Sequence, residues 1–366
     1  MRRSLIARAA VALAVILLAG LLGAIFRPPA QAEVKSASHR AAESPAPKRD
    51  TGISIAAVGD TMLGNTPELP SQPGAYLDRV SGQLKGGIVF GNLEGALTDI
   101  SDSPKCAGGS SDCFAFRTPP RYARFLHAAG FTVMNDANNH FYDFGAGGEG
   151  DTVRALHRAG IAQTGRPGEI TVLDISATKV ALLGFAPYFN TAPLTDLPAA
   201  RRLIRRAARR AAIVVCSIHA GAEGVGAQHV SGHEEHYLGE DRGNPERFAQ
   251  MAIRAGADLI LGSGPHVLRG MQIYRHRLIA YSLGNFSGFH NFAIEGPLGA
   301  SAVLHVSLGA HGRFRAGRIA SVRLVDQGRP VPDRRGQGAR LIARLSREDF
   351  GHSGVRVGTR GRILTP

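Results

Sequence analysis

From residue 53 onward, short β-branched runs alternate with amphipathic segments, and this alternation narrows the choice of fold more than any other feature. Strands and helices in that order lie side by side with the helices over the sheet faces, the α/β pattern. Strands are expected at 53–58, 87–90, 131–134, 170–175, 179–185, 213–218 and 258–261. Helices are expected at 75–84, 120–129, 148–159, 199–211 and 244–255. Past 261 the pattern turns to β, with runs at 271–274, 278–281, 302–307 and 319–325. No repeat or linker interrupts this stretch, so 51–366 reads as one domain. The helix at 199–211 carries six arginines on one half of its surface and apolar residues on the other, a solvated face over a buried one.

Residues able to do chemistry gather directly after the strand-like runs, where an open α/β sheet places its ligand site. Gly59-Asp60-Thr61-Met62 follows the first run, and Gly91-Asn92-Leu93-Glu94 the second. Asn138-Asn139-His140 through Asp143 follows the third, His219 through Glu223 another, and Gly264-Pro265-His266 the last. Each residue alone has an ordinary explanation. Asp60 can cap a helix, the asparagines can hold turns, and a single histidine is most often a hydrogen-bonded structural group. Five loops of like polarity are harder to explain separately than as one site for divalent cations. Carboxylate with imidazole suits borderline metals such as Zn, Mn or Fe. Asp143, three residues after His140, can accept its ring N–H or cap the following helix.

Two other groups have weaker claims. His229, His233 and His236, with Glu234, Glu235 and Glu240, form a lid, a second metal patch or, as the favoured reading, exposed surface. Ser282 has no base beside it in sequence, which disfavours a serine hydrolase.

The termini differ from the body. Arg2 and Arg3 precede a sixteen-residue apolar run from Val11 to Phe26, and Ala30-Gln31-Ala32 offers a small-x-small cleavage site. Residues 1–32 therefore read as a signal peptide or an N-terminal membrane anchor, and 33–50 as a flexible tether. Either reading puts the body outside the cytoplasm, secreted or held on the outer face of the membrane. That compartment favours a disulfide between Cys106 and Cys113, which flank a turn-rich stretch, while Cys216 lies in a buried-strand pattern. The net charge of +14 also belongs to the ends: residues 1–50 hold eight Lys/Arg against three acids and 311–366 thirteen against four, whereas 51–310 balances 22 against 22. A neutral body lacks the basic stripe that tracks phosphates, so nucleic acid is not an expected partner.

Taken in order, the motifs resemble the poly-γ-glutamate capsule synthesis (CapA-like) family. The resemblance rests on Gly59 to Leu63, Asn92-Leu93-Glu94, Ala137 to Gly145, His219-x-Gly221-x-Glu223, Gly262 to Val267 and Tyr281 to Phe286. It implies a branch of the calcineurin-like metallophosphatases, with a metallophosphatase-like four-layer αββα sandwich of two mixed β-sheets. It implies Asp60, Glu94, Asn139, His219 and His266 as ligands of one or two divalent ions. His140 would be the general acid, oriented by Asp143, with Asn92, Glu223 and Asn285 toward the substrate. The implied function is capsule or anionic surface-polymer biosynthesis, with a phosphoester or γ-glutamyl amide as substrate and the polymer or its synthesis and export machinery as partner. The alternative is a non-catalytic polymer-binding or scaffold module. Two positions depart from the pattern: Met62 stands where the superfamily carries the histidine of Asp-x-His, and Gly264 where members carry the first histidine of His-Pro-His. One metal, a substitute ligand such as His233 or His236, or a degenerate polymer-binding site are the three arrangements left open.

Overall fold

The computed structural model describes residues 52–108 and 113–365. Its first strand, Ile53–Met62, shows how the layers arise. Ile53, Ile55 and Ala57 face one core, while Ala56 and Val58 face another. Alternation with both faces apolar is what a strand covered on both sides requires.

This strand is central to a ten-stranded mixed sheet. Its parallel neighbours are Ile88–Leu93 and Asn285–Gly288, and its antiparallel neighbour is Ala300–Leu308. Val133–Asn135 and Ala162–Thr164 continue the parallel side, and Phe314–Val325 the antiparallel side. A seven-stranded mixed sheet aligns Thr178–Ala186, Ile213–His219, Leu259–Ser263 and Arg277–Ala280 in parallel. Antiparallel Met271–Tyr274 and Thr171–Ile175 border it.

Between the sheets, Ile55, Phe90 and Leu304 join one core with Leu182, Val215 and Leu261. Helices Asp78–Ser81, Ala123–Ala129 and Gly145–Arg158 cover the outer face of the larger sheet, where Val80, Leu126 and Leu156 pack with Val58, Val89 and Met134. Leu197–Ala208 and Pro245–Ala255 cover the outer face of the smaller one, with Ile204 and Phe248 against Leu183, Val214 and Ile260. The order is helix, sheet, sheet, helix, the four-layer architecture that the resemblance implied. Each fully buried aliphatic side chain in these layers contributes about 1.5–3 kcal/mol.

The helix Leu197–Ala208 keeps its six flanking and internal arginines exposed and buries Ala200, Leu203, Ile204 and Ala207. Its start is fixed by Asp196, which accepts a hydrogen bond from Ala199 N at 2.9 Å. Two expectations fail. The helix at 75–84 reduces to a turn at Pro73–Ala75 and the single turn Asp78–Ser81, stopped by Gly82. The all-β ending is interrupted by helix Gln337–Phe350, which packs against strands of both sheets. Its buried face includes Gly338, Ala339, Ile342, Leu345 and Ser346, which recur at helical spacing, so the amphipathic period is present in the sequence and the all-β reading passes over it. The proposed export segment and tether lie outside the described residues, and no described helix is long and apolar enough to cross a membrane.

At their carboxyl ends the two sheets approach closely, and Gly184 permits it. A Cβ there would strike Asn135 Oδ1 and lie 2.9 Å from Gly165 Cα. Gly184→Ala is expected to cost about 1–3 kcal/mol through overpacking. A thermal melt reads this directly, and an unchanged midpoint would mean the sheets can part there without penalty.

Candidate metal centre

Strand register assembles the floor of the site. Asp60 pairs with Asn92 on one side and Asn285 on the other, and Asn92 pairs with Asn135. The larger sheet thus presents the row Asn285, Asp60, Asn92, Asn135 at its strand ends. From the smaller sheet, His219 ends its strand in register with Ser263. Glu223 and His266 follow those two strands.

Asn92 ties the row together. Its Nδ2 donates to Asp60 Oδ1 at 2.8 Å and lies 3.3 Å from His219 Nδ1. Its Oδ1 accepts from Asn135 Nδ2 at 2.7 Å and from Asn138 Nδ2 at 3.3 Å. Expected among the substrate contacts, Asn92 is instead 1% exposed and braces the residues around it.

Asp60, Glu94 and His219 are all buried, and each offers a ligand atom within 4.8 Å of the others. Both Glu94 carboxylate oxygens, Asn139 Oδ1 and His219 Nε2 have no hydrogen-bond partner, and Asp60 Oδ2 meets only the His266 ring at 3.2 Å. A buried polar atom left unpaired costs about 1–3 kcal/mol, and more when charged. The ligand atoms of Asp60, Glu94 and His219, two carboxylates and an imidazole, lie close enough together for a single cation to satisfy them at once. The donor set therefore fits a divalent ion. Burial drives the Glu94 carboxyl well above its usual range, and the charge of Asp60 adds to it. Burial pushes Asp60 the same way, but its contact with His266 prevails and holds it below the usual value. Burial takes His219 well below the ordinary histidine range, which keeps it neutral as a ligand must be.

His266 sits among these acids rather than apart from them. Nδ1 lies 3.2 Å from Asp60 Oδ2 and 2.8 Å from Asn285 Oδ1, and Nε2 lies 3.5 Å from Glu94 and 3.6 Å from Glu223. Burial opposes its charge, yet Glu94, Asp60 and Glu223 raise it to about 10. A backbone φ of 60°, in the left-handed region that histidine rarely adopts, holds the ring there.

His140 stands beside this cluster. Its Nδ1 is 2.8 Å from Asp143 Oδ2, so the neutral ring carries its proton on Nδ1 and leaves Nε2 free. Asp143 does not cap the helix that follows, whose first-turn boundary residue Phe144 makes no side-chain cap. It also accepts from Lys105 Nζ at 2.7 Å and Phe116 N at 2.8 Å. Burial lowers the His140 pKa, and Lys105 assists against the pull of Asp143. Cys106 and Cys113 are disulfide-bonded, with Cα atoms 5.6 Å apart. Lys105, adjoining that bridge, also donates to Asn139 O at 2.9 Å. Sequence reasoning missed Lys105, Asn135 and Arg242; only Lys105 had a signal, its place beside a cysteine expected to be bridged.

Met62 lies with Leu63, Leu93, Leu97 and Leu126 around a small apolar cavity. At Gly264, φ is 110° and a Cβ would lie 3.3 Å from His219 Nε2, so this position adjoins a candidate ligand. The loop histidines do not replace the missing one among the described residues: His229, His233 and His236 are exposed, with His229 on Asp349 at 2.6 Å. Above the cluster opens a cleft of about 510 Å³, reached by Glu94, Asn139, His140, Glu223, His266 and Asn285.

The model of a family described as bacterial capsule synthesis protein PGA_cap matches residues 54–288. The capsule biosynthesis protein CapA of Bacillus anthracis is 29% identical over 259 residues, covering 64% of this chain and 59% of that protein. The PGA biosynthesis protein CapA of Bacillus subtilis (strain 168) is 28% identical over 272 residues, covering 67% and 66%. The chain thus spans about three-fifths to two-thirds of the length of these relatives. Among solved structures, the NAD nucleotidase of Haemophilus influenzae is similar at 13% identity and a TM-score of 0.38, covering 82% of this chain and 56% of that one. The match over 54–288 takes in all five of the strand-end motifs that build the site, and the chain belongs to the bacterial capsule synthesis protein family PGA_cap.

Proposed function

We propose that the chain is a metal-dependent hydrolase or transferase acting on an anionic surface polymer of the poly-γ-glutamate kind, outside the cytoplasm. The observation that carries this reading is the buried cluster of Asp60, Glu94 and His219, whose ligand atoms lie within 4.8 Å of one another with both Glu94 oxygens and His219 Nε2 free of hydrogen bonds, and the His140–Asp143 pair hydrogen-bonded nearby. Asp60, Glu94, Asn139 and His219 would hold the ion, and Zn, Mn or Fe suits that mixture of oxygen and nitrogen donors. The chemistry a divalent ion supplies when bound there is Lewis-acid polarisation of a carbonyl or phosphoryl oxygen. His140 moves a proton at Nε2 while Asp143 fixes the ring through Nδ1. Glu223, Asn285 and the cleft walls orient the polymer. The names of the relatives, in capsule and PGA biosynthesis, support the substrate class, and the Cys106–Cys113 bridge supports the oxidising compartment.

Elemental analysis of the purified protein tests the reading. One or two equivalents of metal are expected, lost in Asp60→Ala and His219→Ala. Absence of metal after reconstitution, with polymer still bound, would replace it with a non-catalytic binding module, the reading that Gly264 favours by withholding a ligand beside His219.

A further inference from the structure

Three groups of one turn meet at the ammonium of Lys105. Its Nζ donates to Asp143 Oδ1 at 2.7 Å and to Asn139 O at 2.9 Å, and lies 3.3 Å from His140 Nδ1. That turn carries a candidate metal ligand, the proton-transfer ring and the carboxylate that aims the ring. Asp143 is fully buried, and its second oxygen accepts from Phe116 N at 2.8 Å while holding His140 Nδ1 at 2.8 Å. With one oxygen tied to Lys105 and the other to a backbone N–H, the carboxylate cannot rotate freely, so the ring bonded to it keeps one orientation. The Phe116 ring closes on the imidazole, with centroids 4.4 Å apart.

Lys105 lies in neither a helix nor a strand, and a lysine on a loop loses much rotamer freedom in making such bonds. Its mounting supplies the order. Cys106, the next residue, is bridged to Cys113, whose Sγ lies 3.6 Å from Lys105 O. Ser103 O accepts from Cys106 N at 3.2 Å, and Ser103 Oγ donates to Asp143 O at 2.7 Å. Ser103 before the bridge and Phe116 after it are therefore both bonded to Asp143.

We infer that Lys105 is a positioning residue: tethered by the Cys106–Cys113 bridge, it holds Asn139, His140 and Asp143 in the arrangement that leaves His140 Nε2 free for the reaction. The assignment rests on the proposed function for the reaction it serves, but the hold on the ring is readable without substrate or metal. A counter-charge that only keeps the buried Asp143 folded would lower the melting temperature and leave the ring as it is.

Proton NMR of the metal-free protein decides between the two. The Nδ1–H of His140, identified by its loss in His140→Ala, is expected as a sharp, slowly exchanging signal in the unmodified protein. Lys105→Met and the double variant Cys106→Ser/Cys113→Ser are each expected to broaden it and to speed its exchange on the order of 10- to 100-fold, the range of a lost charge-assisted hydrogen bond. Lys105→Arg keeps the charge and the donors and is expected to retain the signal. With γ-linked hexaglutamate, Lys105→Met is expected to lower kcat by a similar factor with KM little changed. No such signal in the parent, an equally sharp one in Lys105→Met, an unaffected bridge variant, or a loss that Lys105→Arg repeats in full would overturn the assignment, as would parental turnover by Lys105→Met. A parent that neither holds metal nor turns over hexaglutamate sinks the proposed function and leaves the ring signal to decide Lys105. A signal indifferent to Lys105 in a parent that does turn over sinks only Lys105.

Discussion

His140→Ala is expected to lower turnover by on the order of 10²- to 10⁴-fold, the range of a lost proton-transfer group, while metal content and melting temperature stay near those of the parent. The ring is buried and touches no ligand oxygen of the cluster through a hydrogen bond; its bonds run to Asp143 and, through its backbone N, to Asn138 Oδ1 at 2.9 Å. Asp143→Asn tests the positioning role separately. It keeps the shape but replaces the charged acceptor of Nδ1–H with a neutral amide oxygen and takes the counter-charge from Lys105, so kcat should fall with KM little changed. The pH profile carries the sign. Burial holds His140 below the ordinary histidine range, so it is neutral at pH 7 and charged only in acid. If it donates the proton, kcat rises as pH falls toward that range, and the limb vanishes in His140→Ala. Turnover unaffected by His140→Ala would remove the residue from the chemistry.

The strand-end motifs were legible because the physics that places them is local. Asp60, Asn92, Asn139, His219 and His266 each follow an apolar run that is buried on both faces, and the α/β pattern leaves little choice about where such runs end. What the sequence could not disclose was how those residues share work. Asn92 looks like a ligand or substrate contact in a line of letters, but in the fold its amide is consumed by Asp60, Asn135 and Asn138. His266 looks like one more donor, and in the fold its ring also lies within 3.6 Å of three acids, Asp60, Glu94 and Glu223. Arg242 and Lys105 reach the cleft from loops with no periodicity at all, so nothing short of tertiary structure could bring them to it. The helix Gln337–Phe350 is a different case: Ala339, Ile342, Leu345 and Ser346 recur at helical spacing along its buried face, so its signal was present in the sequence and was passed over among the surrounding strands.

Glu94→Gln is expected to make the metal-free protein more stable and to abolish stoichiometric metal binding. Glu94 is buried with neither oxygen hydrogen-bonded and close to Asp60, and burial outweighs the pull of His266 3.5 Å away, so its ionised form is disfavoured in the folded state and its pKa lies well above the ordinary 4.5. A carboxyl raised on folding destabilises at any pH above its unfolded value, and the loss grows as pH climbs from there toward the folded value. The amide carries no such penalty, and His266 keeps Asp60 and Glu223 as counter-charges. The gain is expected to be about 0.5–2 kcal/mol, a rise of roughly 2 °C for a domain of this size. It should grow as pH rises above about 4.5 and disappear below that, where Glu94 is protonated in both states. Metal reverses the ranking: its binding displaces the Glu94 proton, so the parent gains affinity as pH rises, and the amide variant shows neither that slope nor metal-induced stabilisation. Melts with chelator and with added Zn or Mn, from pH 4 to 8, read both halves. A variant that melts below the parent without metal would make Glu94 a structural carboxylate, and one that binds metal like the parent would take it out of the ligand set; the first outcome removes the strain from the site, the second removes the site from the fold's unpaired oxygens.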